Sequence, residues 1–78
     1  MLGFVMSKNG EPSLLDVVAL LADRPADSLA RGQVGTIVES LDEDSALVEF
    51  SDDQGRPYAV VPCALSELIV LHYVPQPA

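Results

Sequence analysis

Apolar positions along this chain gather into short runs, each closed by a polar or Gly/Pro-containing break. "ALVEFS", residues 46–51, alternates: Val48 and Phe50 fall on one side and Leu47 and Glu49 on the other, the period of a half-buried strand. "PYAVV", residues 57–61, is another β-rich run, entered by Pro57 where no ladder donor is needed. Between them "DDQGR" reads as a tight turn in which Gly55 takes positive φ, so the two runs form a predicted hairpin. "QVGTIVE", residues 33–39, is rich in β-branched residues, and "LDEDS" turns the chain after it. "PCALSE" is a short interruption with room for one helical turn. "LIVLHYV", residues 68–74, reads as a last strand, and Pro75 and Pro77 end regular structure.

One run is ambiguous. In "SLLDVVALLADRP", Ser13 and Asp16 resemble a capping box, and Leu14, Val17, Val18 and Leu21 share one helical face. Leu15, Ala19 and Leu20 make the same run apolar nearly all round, and Arg24-Pro25 stops it early, which suits a strand buried on both faces. Ahead of it, Asn9-Gly10 and Pro12 mark a turn-rich lead-in. The expected organisation is a flexible lead-in at 1–13, one domain at 14–74 and a disordered tail at 75–78. Five short strands, one long loop and almost no helix predict an all-β fold: a small, strongly bent, five-stranded SH3-like barrel with one helical turn before the last strand.

Composition changes this picture in two ways. A chain of 78 residues buries only a little over half of its unfolded surface, yet 49% of it is hydrophobic and its mean hydropathy is +0.28. Apolar groups are therefore expected to stay exposed or to meet another chain, a protein partner or a second copy, and the nearly unbroken run at 68–74 is where such pairing is expected. The net charge is −8, with twelve acids against Lys8, Arg24, Arg31 and Arg56. That field repels nucleic acid and attracts basic protein surfaces.

The acids are concentrated. Seven of them, Glu39, Asp42, Glu43, Asp44, Glu49, Asp52 and Asp53, stand between Glu39 and Asp53 with no intervening base. The two turns are expected to bring Asp42, Glu43, Asp44, Asp52 and Asp53 into one acidic face that docks a basic partner. A calcium loop beginning at Asp42 fails at Ala46, at Leu47 where glycine is needed, and at Asp53 where glutamate is needed, so no metal site is expected. No cofactor is expected either, because Gly32 and Gly35 match neither a dinucleotide nor a P-loop fingerprint.

Chemistry finds little to work with. Cys63 is alone, cannot form an internal disulfide, and reads as a small buried hydrophobe. His72 is the single histidine, and no spacing pairs it with Ser40, Cys63 or Ser66 as base and nucleophile. No enzyme is expected. A Pro-rich-peptide groove would need an aromatic floor, for which only Tyr58 and Tyr73 are candidates besides the core residue Phe50 and Phe4. No run reaches the ~18 apolar residues of a membrane span. "MLGFVM" at 1–6 lacks a basic flank and a full apolar stretch, which reads as cytoplasmic, with Met6 an alternative start.

Two resemblances add to this. Gly32-x-x-Gly35-x-Ile37 is similar to the core of the KOW motif, an SH3-like element that touches RNA; Lys and Arg surround the glycines there, whereas only Arg31 stands nearby here. The glycines Gly32, Gly35 and Gly55 are accordingly read as structural turns. More broadly, "DVVALLADRPADSLARGQVGTIVE", "ALVEFSDDQGRPYAVV" and "LSELIVLH" resemble the short bacterial proteins of the family domain of unknown function 4926. That resemblance implies an SH3-like fold and a strand, not a helix, at 15–21, and supplies no activity. Members are sometimes encoded beside suspected toxins, which implies an antitoxin- or immunity-type neutraliser. The alternatives are an accessory subunit of a larger complex or homo-oligomer, and RNA contact through the Gly32–Gly35 loop.

Overall fold

The computed structural model describes residues 11–77. Five strands, β1 (Val17–Leu20), β2 (Val34–Asp42), β3 (Ser45–Ser51), β4 (Pro57–Ala64) and β5 (Leu68–Val70), pair antiparallel in the order β4–β3–β2–β1–β5. The only helical pieces among the described residues are single 3₁₀ turns at Pro25–Asp27 and Leu65–Glu67. Two bulges in β2, after Ile37 and after Ser40, leave Val38 and Leu41 unpaired and bend the strand. Its first half thereby lies beside β1 and its second half runs on along β3. The result is a small SH3-like barrel whose sheet keeps β4 and β5 as its two edges.

The ambiguous run resolves as a strand, and the reason is visible at its start. The Ser13–Asp16 pair is made: the Asp16 carboxylate accepts the Ser13 backbone N–H at 2.9 Å and its hydroxyl at 3.2 Å, while the Asp16 N–H donates to the Ser13 carbonyl at 3.0 Å. These bonds close a turn with Leu15 at φ 70° instead of launching a helix. The chain then pairs on both sides, Val18 with Gly35 and with Val70, and Val18, Ala19 and Leu20 are all buried. Pairing on two edges satisfies the backbone as fully as a helix would, and it buries the centre of the run, while Leu14, Leu15 and Leu21 at its ends stay exposed.

Two boundaries differ from the sequence pattern. β4 continues through Cys63 and Ala64, so the break before the last strand shrinks to Leu65–Glu67. β5 is only Leu68–Val70; after Leu71 donates to the Val17 carbonyl at 2.9 Å, β1 offers no further partner and the chain leaves the sheet. His72 and Tyr73 thus lie beyond the strand, not on it. Residues 75–77 form no helix or strand, and most of the lead-in, including Asn9-Gly10 and Met6, lies outside the described residues.

The core takes the inward side of every strand. Val18, Leu20, Ile37, Ala46, Val48, Phe50, Val61, Cys63 and Leu68, with Leu29 from the long β1–β2 loop, form one buried cluster. Each large aliphatic or aromatic side chain so buried stabilises the fold by about 1.5–3 kcal/mol. Gly35 sits among them inside β2, where an added Cβ would lie 2.6 Å from Val48 Cγ1 and 2.9 Å from the Glu49 carbonyl oxygen. It is therefore a packing glycine in a strand and not a turn glycine. Gly32, at φ +90°, and Gly55, at φ +79°, make the turns.

Arg24 ties the long loop to the rest. Its Nε and Nη2 donate to Asp27 at 3.1 and 2.9 Å, and Nη1 donates to Glu67 at 3.0 Å. Glu67 in turn accepts the Ala64 N–H at 3.2 Å. The Asp27 hydrogen bond, above all, raises the Arg24 pKa, and Cys63 lies close enough to feel the same charges. Burial pushes the Cys63 thiol up, so it stays protonated and is 1% exposed.

Candidate functional site

The two acidic turns stand at opposite ends of β3. Asp42, Glu43 and Asp44 form the β2–β3 turn, where Asp42 pairs with Ser45, and Asp52 and Asp53 open the β3–β4 turn, where Ser51 pairs with Pro57. Seven residues of extended strand separate them, a span of roughly 20 Å at the usual rise. The expectation that the turns meet in one face fails on this point, since successive hairpin turns must alternate ends. At physiological ionic strength, charges that far apart are screened from each other over about 8 Å.

Each turn uses one carboxylate to build itself. Asp42 accepts the Asp44 N–H at 2.8 Å and the Ser45 hydroxyl at 2.9 Å. The Asp44 backbone bond, then the Ser45 hydroxyl, hold the Asp42 pKa below the usual aspartate range. Asp52 accepts the N–H groups of Gln54 and Arg56, both at 2.9 Å, and the Arg56 guanidinium Nε at 3.1 Å. The Arg56 and Gln54 backbone bonds are the main reasons that its pKa is also lowered. These are Asx-type turns: a short carboxylate fastens the backbone two residues on. Glu43, Asp44 and Asp53 are left exposed with no such duty.

The surroundings of the two turns differ. Beside the β2–β3 turn lies an open groove of about 300 Å³ whose lining includes buried Ile37 and Ala46, half-buried Pro12 and Leu65, and exposed Glu11, Asp42 and Glu43. A second depression shares Glu11, Pro12, Glu43 and Leu65 and adds Asp44 and Ser66. The Leu65 N–H donates to the Asp44 carbonyl at 2.8 Å, which holds this turn against the Leu65–Glu67 turn. Four carboxylates, Glu11, Asp42, Glu43 and Asp44, surround these grooves, and among the described residues no Lys or Arg lines them. At the other end, Arg56 pairs with Asp52 in its own turn.

Glu11 is the member of this group that sequence reasoning missed. Nothing in spacing connects it to residues more than thirty positions later; only the path of 11–14 along the β2–β3 end does so. The other candidates are dispersed. Tyr58 begins the edge strand β4, where its hydroxyl meets Gln33 Nε2 at 2.6 Å, and Tyr73 lies exposed beyond β5, so neither lines the groove. No hydrogen bond joins His72 to Ser40, Cys63 or Ser66 among the described residues, and no cluster of three metal-ligating side chains occurs among them. No helix there is long and apolar enough to cross a membrane.

No curated protein and no solved structure matches this chain. Residues 14–70, the whole barrel from the Ser13–Asp16 turn to the end of β5, match a family described as Domain of unknown function (DUF4926), and the chain belongs to that family.

Proposed function

We propose that this chain is a small, acidic, non-enzymatic protein-binding module that docks its β2–β3 end on a basic surface of a partner protein. In this reading it covers the partner's site, as an antitoxin or immunity protein does, and works in the cytoplasm, where a lone reduced Cys63 is stable. The observation that carries it is the placement of Glu11, Asp42, Glu43 and Asp44 around two adjoining depressions, with no cation among the described residues that line them. Carboxylates this close act jointly on an approaching charge, which raises association rates and selects partners by sign. The apolar part of the groove, Pro12, Leu14 and Leu65, offers the desolvated contact that slows release.

Asp52 and Asp53 are spectators in this proposal. RNA contact through the Gly32–Gly35 loop draws no support from the geometry, since Gly35 is enclosed by Val48 and Phe50 and Gly32 serves a turn. The test is affinity purification of the natively expressed chain with mass spectrometry, run beside two variants. A basic partner captured by the parent and by Asp52→Asn/Asp53→Asn, and lost with Asp42→Asn/Glu43→Gln/Asp44→Asn, supports the reading. Equal capture by all three rejects the groove as the site, and a metabolic enzyme held independently of these acids favours an accessory subunit.

A further inference from the structure

Residues 21–33 connect β1 to β2, and Leu29 alone among them is buried. Six of them close on themselves. The Arg24 N–H donates to the Leu29 carbonyl at 2.8 Å and the Leu29 N–H to the Arg24 carbonyl at 3.1 Å, while the Asp27 and Ser28 N–H groups donate to the Arg24 and Pro25 carbonyls at 3.0 and 3.2 Å. Pro25 fixes one φ, and Ser28 turns the chain at φ 58°. The unit 24–29 thus holds its shape without help from the barrel. Among the described residues, one buried side chain and one hydrogen bond tie it down: Leu29 in the core cluster, and Arg24 Nη1 on Glu67 at 3.0 Å.

We infer that 24–29 is a strap that swings off the barrel as one body, with Arg24–Glu67 as its latch and Leu29 as its plug, while the five strands stay paired. This inference does not depend on the partner reading above. The roots of the loop are fixed by the Leu21 N–H on the Glu67 carbonyl at 2.8 Å and by the Gly32 N–H on the Leu20 carbonyl at 2.7 Å, which confines the motion to the residues between them. The Arg31 N–H donates to the Asp23 carboxylate at 2.8 Å and joins the two legs. Asp27 aims the latch: it accepts Arg24 Nε and Nη2 at 3.1 and 2.9 Å, which leaves Nη1 for Glu67.

Two such ties are weak beside the rest of the fold. The latch is partly solvated, its Arg24 and Glu67 side chains being 23% and 36% exposed, and water weakens an ion pair of that kind. The plug is one leucine, whereas the strands share the remainder of the core cluster. A region with so few buried apolar contacts opens at a lower free energy than the whole domain. Cys63 reports the opening. Glu67 Oε1, the acceptor of the latch, also accepts the Ala64 N–H at 3.2 Å, so the latch closes beside Cys63, which is 1% exposed and shares the core cluster with Leu29. The closed strap hides the thiol, and the open strap uncovers it.

Alkylation of Cys63, the single thiol of the chain, by the uncharged reagent N-ethylmaleimide tests this under native conditions. The parent is expected to label at a rate nearly flat in urea below its unfolding transition, because opening the strap exposes little surface, and to follow global unfolding only near the midpoint. Arg24→Gln labels about tenfold faster without urea, the loss expected for a hydrogen bond between charges, and keeps the flat dependence. Glu67→Gln, whose amide oxygen still accepts, labels faster by a smaller factor. Asp52→Asn, which breaks the Arg56 pair in the β3–β4 turn, labels like the parent. A parent rate that climbs with urea in step with global unfolding from the first addition overturns the inference, and that measurement decides alone should the variants fail to fold. Labelling of Arg24→Gln at the parent's rate, or faster labelling that carries the urea dependence of global unfolding, overturns it equally.

Discussion

The β2–β3 and β3–β4 turns begin from nearly the same sequence chemistry and end as different surfaces. Each is opened by an aspartate that folds back on its own backbone, Asp42 in one and Asp52 in the other. At the β3–β4 turn that aspartate also takes Arg56, and the turn bends at Gly55, so the loop is closed on itself. At the β2–β3 turn no cation arrives from among the described residues. Instead Glu11 and the Leu65–Glu67 turn come up beside it and leave an open groove. A dense acidic run is thus not one feature. What matters is which acids the topology places together and which cations reach them.

β3 is the spacer that keeps the turns apart, and its seating is the most costly thing to disturb. Gly35→Ala forces a methyl against Val48, the Glu49 carbonyl and Phe50, and is expected to destabilise by about 1–3 kcal/mol, the range of overpacked cores. Chemical denaturation with an unchanged m-value measures it. Gly55→Ala acts on the closed turn alone: φ +79° lies in the region L-residues avoid, and a loss of about 1–2 kcal/mol is expected. Glu43→Ala, in the open turn with neither glycine nor hydrogen-bonding duty, leaves the melting temperature in place.

The smallest effect is in acid. Asp42 and Asp52 both have pKa values lowered from 3.8 by the hydrogen bonds of their turns. A group with a depressed folded pKa contributes stability that is complete above its unfolded value and is lost as pH falls through the folded one. Both contributions are therefore intact at neutral pH and disappear only below about pH 4. Asp52→Asn and Asp42→Asn, read by melting temperature against pH, each lie somewhat below the parent at neutral pH and converge on it as pH falls through that window. A gap between variant and parent that stays the same from neutral pH to below about pH 4 contradicts the assignment.

Much of the fold was legible because its signals are local. The alternation in 46–51, the turn at Gly55 and the β-branched run before Glu39 each name their element without reference to anything distant. The run at 14–21 was not, because Ser13 and Asp16 make the same hydrogen bonds in a turn as at a helix start. Only pairing with β2 and β5, decided by residues far along the chain, separates the two outcomes. Gly35 was legible as a necessary glycine but not as a packing one, since its neighbours Val48 and Phe50 come from β3. The candidate site was half legible: the acids are plain in the sequence, but their division between two ends and the arrival of Glu11 are properties of topology.

The central claim is that the acids of the groove end steer binding and those of the far turn do not. With the captured partner in hand, stopped-flow association rates measured across salt concentration compare the parent with Asp42→Asn/Glu43→Gln/Asp44→Asn and with Asp52→Asn/Asp53→Asn. The first variant is expected to associate about tenfold more slowly at low salt, with a flattened salt dependence, and the second to follow the parent closely. Equal slowing by both variants, or rates for the first that match the parent at every salt concentration, would contradict the account.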